Sequence, residues 1–457
     1  MDKELRAQIK DIMQHEVVPA TGCTEPGAVA LCVAKAVETL DLGDRKDCEP
    51  EHITLHLSKN VFKNAMGVGI PGTGMIGLPI AVAMAVTHGD SKRGLEVLTM
   101  PEAQVEDAKQ WLANNADSIT IDVKEDGDKL YIECLAEAKG HTATAVIAKR
   151  HTNFVHVEHD GKVVFSQQQG VMVDEKQDDA AGQLQLTARM VYDYATTAPL
   201  DELEWLRETV VYNNAASECG LVGMGLHTGQ ILMEQARGDM VHTVVARTVA
   251  ASDARMDGCT KPVYSNSGSG NQGICCTLPV YYYGKLKGNS DEQILRALTM
   301  SHLMSIYIKR GIGRLSALCG IVNATMGVSA ALTYLEVCGA NAAPCGNVAA
   351  AVCGANAAPD GNAGSFEQVG YALKNMINTI AGMVCDGAKP SCALKMSVGL
   401  YSAFVCSELA VHSRVVDSTD GLSESDLDCS IRNLGRLGKD GMNQTDDMIL
   451  DIMTHKK

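Results

Sequence analysis

The spacing of apolar residues changes period along this chain. Residues 1–16 and Pro26 to Leu40 repeat as helices do, with a break at Pro19 to Cys23 between them. Over residues 50–170 the period drops to two. Ile53, Leu55 and Leu57 alternate with polar residues, and Ile119, Ile121 and Val123 do the same. Leu130 to Leu135 and Thr142 to Ala148 read as further strands, and His151 to Phe165 as a hairpin turning at Asp160-Gly161. Helical patterns at Gly77 to Thr87 and Glu102 to Asn114 lie among them. Beyond about residue 180 the helical period takes over. Helices are predicted over Leu200–Asn214, Asp239–Ala251, Asp291–Arg310, Arg314–Leu335, Phe366–Val384, Ala393–Ala410 and Glu424–Leu437. The expected fold is α+β: a large helical catalytic domain built from residues 1–48 and 180–457, and a smaller α/β domain, residues 49–179, with a mainly antiparallel sheet.

Composition narrows the class. At 46% hydrophobic and 21% charged, the 457-residue chain is a globular protein rather than a disordered one. Its formal net charge of −16 disfavours nucleic acid or an anionic membrane as main partner. The apolar run Ile76 to Val86 is too short to span a bilayer. Sixteen cysteines in a chain this long, behind a charged Met-Asp-Lys-Glu start, suit a reduced cytoplasmic protein better than a secreted disulfide framework. Ala- and Met-rich helices suit a homodimer. One segment repeats: Val337-Cys-Gly-Ala-Asn-Ala-Ala-Pro344 recurs as Val352 to Pro359, which reads as a small-residue insertion.

Candidate chemistry centres on cysteine. Cys385-Asp-Gly-Ala-Lys-Pro-Ser-Cys392 places two thiols around a loop that breaks helices on both sides, so both can turn toward one point. Cys319 lies upstream in Leu318-Cys-Gly320. Three thiolates leave a tetrahedral metal or cluster one ligand short, as a catalytic centre requires; otherwise these are three unconnected core cysteines. Cys23 precedes a helix start, where the dipole favours a thiolate able to act as base or nucleophile; the plainer alternative is a buried thiol beside a capping Thr24. Ser265-Asn-Ser-Gly-Ser-Gly-Asn-Gln-Gly273 is a small-residue loop suited to a carboxylate or phosphate, with Asn266, Ser267, Ser269 and Asn271 as its polar contacts. Lys63 and Asn64 follow a strand and offer a second anchor for a substrate carboxylate. Lys395 stands one helical turn past Cys392, as a helix cation or a site residue. His151, His156 and His159 fall near a hairpin tip and read as exposed polar positions rather than a metal site.

Taken together, Gly22-Cys-Thr-Glu-Pro-Gly27, Lys63-Asn64, Asn266-Ser-Gly-Ser-Gly-Asn271, Leu318-Cys-Gly320 and the Cys385–Cys392 loop resemble the iron–sulfur L-cysteine desulfidase family, itself related to bacterial iron–sulfur L-serine dehydratases. The likeness spans nearly the whole chain. It implies a 4Fe–4S cluster held by Cys319, Cys385 and Cys392, and Cys23 as catalytic base. It also implies an amino-acid substrate: L-cysteine, converted to pyruvate, ammonia and hydrogen sulfide. The repeat lengthens the connection between the first cluster cysteine and the closing pair, and adds Cys338, Cys345 and Cys353; Leu318-Cys-Gly320 matches the family segment and makes Cys319 the expected ligand. The rival readings are an L-serine dehydratase with the same chemistry, a pyridoxal-phosphate eliminase for which no Schiff-base lysine is evident, and an iron–sulfur sensor of cysteine without turnover.

Overall fold

The computed structural model describes residues 1–41, 49–124, 128–167, 184–313, 315–338 and 363–455. Most of the repeat, with Cys345 and Cys353, lies outside the described residues, as does the side chain of Cys338. The fold is α+β, as the periodicity predicts. Six strands form one sheet in the order β3 (Ile119–Lys124), β2 (His52–Ser58), β4 (Tyr131–Ala138), β5 (His141–Ala148), β6 (Phe154–His159), β7 (Lys162–Ser166). Only β2 and β3 run parallel; β2–β4, β4–β5, β5–β6 and β6–β7 are antiparallel. The hairpin turns at Asp160 (φ 48) and Gly161 (φ 73), the left-handed pair that a tight antiparallel turn needs.

The helical body is built on long apolar helices, among them Met240–Met256, Gly270–Lys287, Asp291–Ile312, Gly320–Cys338, Ala363–Ile380 and Cys392–Val411. Among the described residues, Cys392–Val411 is the one helix long and apolar enough to cross a bilayer. It packs against Met240–Met256, Gly320–Cys338 and Ala363–Ile380, which makes it part of this body's core.

Two large hydrophobic cores divide the chain, and the division differs from the expected one. Helix Lys3–Glu16 joins the helical core through Ile9, Ile12 and Met13. Helix Thr24–Thr39, expected with the same body, instead covers the sheet. The physical reason is its composition. From Pro26 to Val37 almost every residue is buried, so the helix needs cover on all sides. It finds that cover between β4, β5 and helix Leu78–His88. The cores therefore part near Cys23, not residue 48. Just before it, β1 (Pro19–Ala20) pairs with β8 (Val263–Tyr264) of the helical body.

Other departures follow from long-range pairing. The helix expected over Arg314–Leu335 starts at Gly320, and the one expected to reach Val384 stops at Ile380, because Leu318 and Val384 form an antiparallel bridge. The helix expected from Leu200 begins at Arg207, after two short 3₁₀ turns. Helices Ala188–Thr197, Thr228–Ala236, Gly270–Lys287 and Asn443–Thr454 lie where the periodicity drew none.

Candidate functional site

Cys23, Cys319, Cys385 and Cys392 line one cavity of about 140 Å³. Each arrives by a separate route. Cys23 is the N-cap residue of Thr24–Thr39, directly after Gly22, whose φ of 68 turns the chain. Cys319 and Cys385 are set side by side by the Leu318–Val384 bridge: Cys319 N–H donates to Met383 O at 3.0 Å, and Cys385 N–H to Ala317 O at 2.6 Å. Cys392 opens helix Cys392–Val411, its N–H donating to Lys389 O at 2.9 Å. Between the last two, Gly387 (φ 96) lies so close to helix Lys59–Ala65 that a Cβ there would stand 2.3 Å from Lys63 O. Asp386 accepts from both Lys389 and Lys395, tying the loop to the first turn of the following helix. Burial alone would raise the Asp386 pKa, but the two ammonium groups carry it down to about 2.

The thiols are electrostatically unequal. Cys385 is drawn below the usual thiol range because the Cys319 S–H hydrogen-bonds to it, with Lys63 and Lys395 assisting against burial. Cys319, the donor in that pair, is raised correspondingly, and burial raises Cys392. Burial also pushes Cys23 up to about 11, against the nearby Arg255 charge. That reverses the expectation from its helix-start position. The thiol is only 6% exposed, and desolvation outweighs the dipole.

The donor set suits a multi-iron core. Three thiols converge from two segments, Cys319 from one and Cys385 and Cys392 from the other, and two lysines border them. Among the described residues, the one group of ligand atoms gathered within 4.8 Å is His141, His159 and Asp160, on the hairpin. Cys319 and Cys385 are in hydrogen-bond contact, but the three cysteine sulfurs do not all fall within that distance of one another. A single tetrahedral zinc with bonds of about 2.3 Å draws its sulfurs to about 3.8 Å.

The remaining sequence-predicted residues divide. Asn64, Ser267, Ser269 and Asn271 line the cavity. Lys63 does not: its ammonium, in a residue only 2% exposed, pairs with Asp446 of helix Asn443–Thr454. Asn266 does not line it either. Its amide donates to His302 Nδ1 and His302 O, both at 3.1 Å, and its Oδ1 accepts from Ser267 Oγ at 2.8 Å. His302 is wholly buried and held down to about pH 3 by desolvation, so its ring is neutral. With Nδ1 accepting, Nε2–H donates to Thr277 Oγ1 at 3.0 Å. Asn266 and His302 thus brace the loop from behind. The loop itself ends earlier than expected, since Gly270 already begins a helix.

The sequence reading gave no site role to Arg255, Glu25 or His151, all of which line the cavity. Arg255 is 6% exposed at the end of Met240–Met256. Nothing in the sequence sets it apart from the other charged residues of that helix, Arg247 and Asp253. Glu25 accepts from Asn64 Nδ2 at 3.1 Å and from Thr24 Oγ1 at 3.0 Å. His151, read as an exposed hairpin residue, lies instead on the cavity wall with Nε2 at 3.9 Å from Glu25 Oε1. His156 and His159 do stay on the hairpin, near Glu158 and Asp160.

The model of the family described as "Serine dehydratase alpha chain" matches residues 92–342 and 336–451. The chain is 47% identical to UPF0597 protein BF3560 of Bacteroides fragilis over 465 residues, covering 100% of both chains. It is 48% identical to a UPF0597 protein of Phocaeicola vulgatus, covering 100% of this chain and 99% of that one. A UPF0597 protein of Aeromonas hydrophila is 40% identical, covering 99% and 98%. The chain belongs to the serine dehydratase alpha chain family, the iron–sulfur serine dehydratase-like group that its cysteine motifs resemble.

Proposed function

We propose that this protein is an L-cysteine desulfidase, an iron–sulfur lyase acting by β-elimination. The observation that carries the reading is the convergence of Cys319, Cys385 and Cys392 on one cavity with a fourth thiol, Cys23, in its wall. In this reading the three cysteines hold a 4Fe–4S cluster. Bound there, such a cluster supplies Lewis acidity toward the group being expelled.

The chain's own residues do the rest. Cys23, as thiolate, accepts the Cα proton; the C–H pair becomes the Cα=Cβ bond, and the Cβ–S bond breaks with its pair left on sulfur. The released aminoacrylate becomes its imine, and water converts this to pyruvate and ammonia. A base with a pKa near 11 is strong once deprotonated but scarce at neutral pH, so the guanidinium of Arg255 beside it matters. Glu25, held by Asn64 and Thr24, offers an acceptor for the substrate ammonium. The bracing of Asn266 by His302 fixes the Ser267–Ser269 segment, which limits the poses open to the substrate.

L-Serine is the second reading, favoured by the family's description. The same residues would then expel a hydroxyl group. The deciding experiment is anaerobic purification with iron and sulfide quantification, followed by parallel assays of pyruvate release from L-cysteine and L-serine. Sulfide and pyruvate formed together from L-cysteine, with slower turnover of L-serine, is the expected result. Turnover of L-serine alone replaces this reading with the second, and iron-free protein that is active removes both.

A further inference from the structure

Arg255 is a buried cation whose hydrogen bonding is incomplete. Its Nη1 donates to Asn271 Oδ1 at 3.2 Å and its Nη2 to Gly22 O at 3.0 Å. Both acceptors are neutral, and they fix the plane of the guanidinium. Its Nε–H is buried and has no hydrogen-bond partner. Among the described residues, no carboxylate forms an ion pair with it. Arg255 also lies beside Cys23, but burial keeps that thiol neutral, so the cation has no anionic partner until an anion arrives, and such a buried charge is costly.

The free edge faces a particular place. A Cβ built on Gly270 would stand 2.2 Å from Arg255 Nε. Gly270 is the first residue of the 18-residue helix Gly270–Lys287, and the N-cap residue Ser269 makes no side-chain capping bond. Unpaired N–H groups and the positive dipole end therefore lie beside the unpartnered Nε–H of the guanidinium. Ser269, Asn271 and Arg255 all line the cavity that holds Cys23.

We propose that Arg255 Nε and the uncapped N-terminus of helix Gly270–Lys287 form the subsite for the substrate's α-carboxylate. This assignment rests on the amino-acid reading above. It moves the anchoring charge from Lys63, which Asp446 occupies, to a residue of the helical body. It also explains the glycine at position 270: any side chain there would displace the guanidinium edge.

The test uses full-length protein prepared anaerobically with its cofactor and isothermal titration calorimetry. The probes are L-alanine, which has no β leaving group, propanoate, which has only the carboxylate, and L-alaninamide, which lacks it. Wild type is expected to bind L-alanine and propanoate. Arg255→Gln should weaken both about 30-fold, the loss of a charge-assisted hydrogen bond, and leave L-alaninamide unchanged. Arg255→Lys should recover part of the loss, because it restores charge without the planar fork. Gly270→Ala keeps the arginine but pushes its guanidinium edge aside and should reproduce the loss, and unchanged L-alaninamide binding in that variant separates a displaced anchor from a misfolded protein. The subsite is overturned if Arg255→Gln and Gly270→Ala bind L-alanine as wild type does, or if L-alaninamide weakens in parallel. Arg255-dependent binding of propanoate without any binding of L-alanine keeps the anion subsite and removes the amino-acid reading. Binding of neither probe by wild type removes both.

Discussion

His302 gives the most quantitative prediction. The ring is buried in the helical core, hydrogen-bonded through both nitrogens, and depressed from 6.5 to about 3 by desolvation alone. At pH 5 an ordinary histidine is about 97% protonated, whereas His302 is about 1% protonated. A depressed histidine contributes stability that is fully present above pH 6.5 and is lost as pH falls toward the folded value near 3. Between pH 7 and pH 5 the loss from this one group is about 2 kcal/mol. The assay is ¹⁵N-histidine NMR across this range, with His302→Gln identifying the signal. The ring should remain neutral, with the proton on Nε2, down to pH 5. In urea unfolding, the stability gap between wild type and His302→Gln should narrow by about 2 kcal/mol over the same interval. A ring that titrates near 6.5, or that carries its proton on Nδ1, would refute the bracing role assigned to the Asn266–His302–Thr277 chain.

Other predictions address the site directly. Cys23→Ala should abolish turnover while iron content stays at the wild-type ratio; full activity in that variant removes its role as base. Cys385→Ser and Cys392→Ser should each lower bound iron as well as activity, read by iron quantification on anaerobic protein, and wild-type iron in both would dismiss the cluster assignment. Asp446→Ala leaves Lys63 buried without its partner and should cost about 3 kcal/mol or somewhat more, while replacing both Lys63 and Asp446 by apolar residues should cost less. Gly387→Ala forces a Cβ against Lys63 O at a backbone φ of 96 and should lower iron retention before it lowers overall stability, measured by comparing iron content with the thermal midpoint.

Periodicity in the chain was enough for the elements of the sheet. A strand's two-residue alternation and the Asp160-Gly161 turn are local signals, and β2 to β7 formed where the alternation lies. The cysteine motifs were legible for the same reason. Helix-breaking residues around Cys385 and Cys392 announce a loop whatever packs on it, and that loop does reach one cavity with Cys319 and Cys23. What local pattern did not decide was partnership. Whether a lysine or an arginine faces a substrate depends on which carboxylate arrives beside it from elsewhere in the chain. Lys63 met Asp446, 383 residues away, and Arg255 met two neutral oxygens. His151 reached Glu25 only because the sheet folds back over helix Thr24–Thr39. The same holds for Cys23, whose helix-start position favours ionisation but whose burial opposes it more strongly. The strands of the sheet and the cysteine loop are thus written in short stretches of sequence, while several helix ends and the charges that complete the site are set by contacts between distant segments, because backbone bridges, desolvation and ion pairing act through space rather than along the chain.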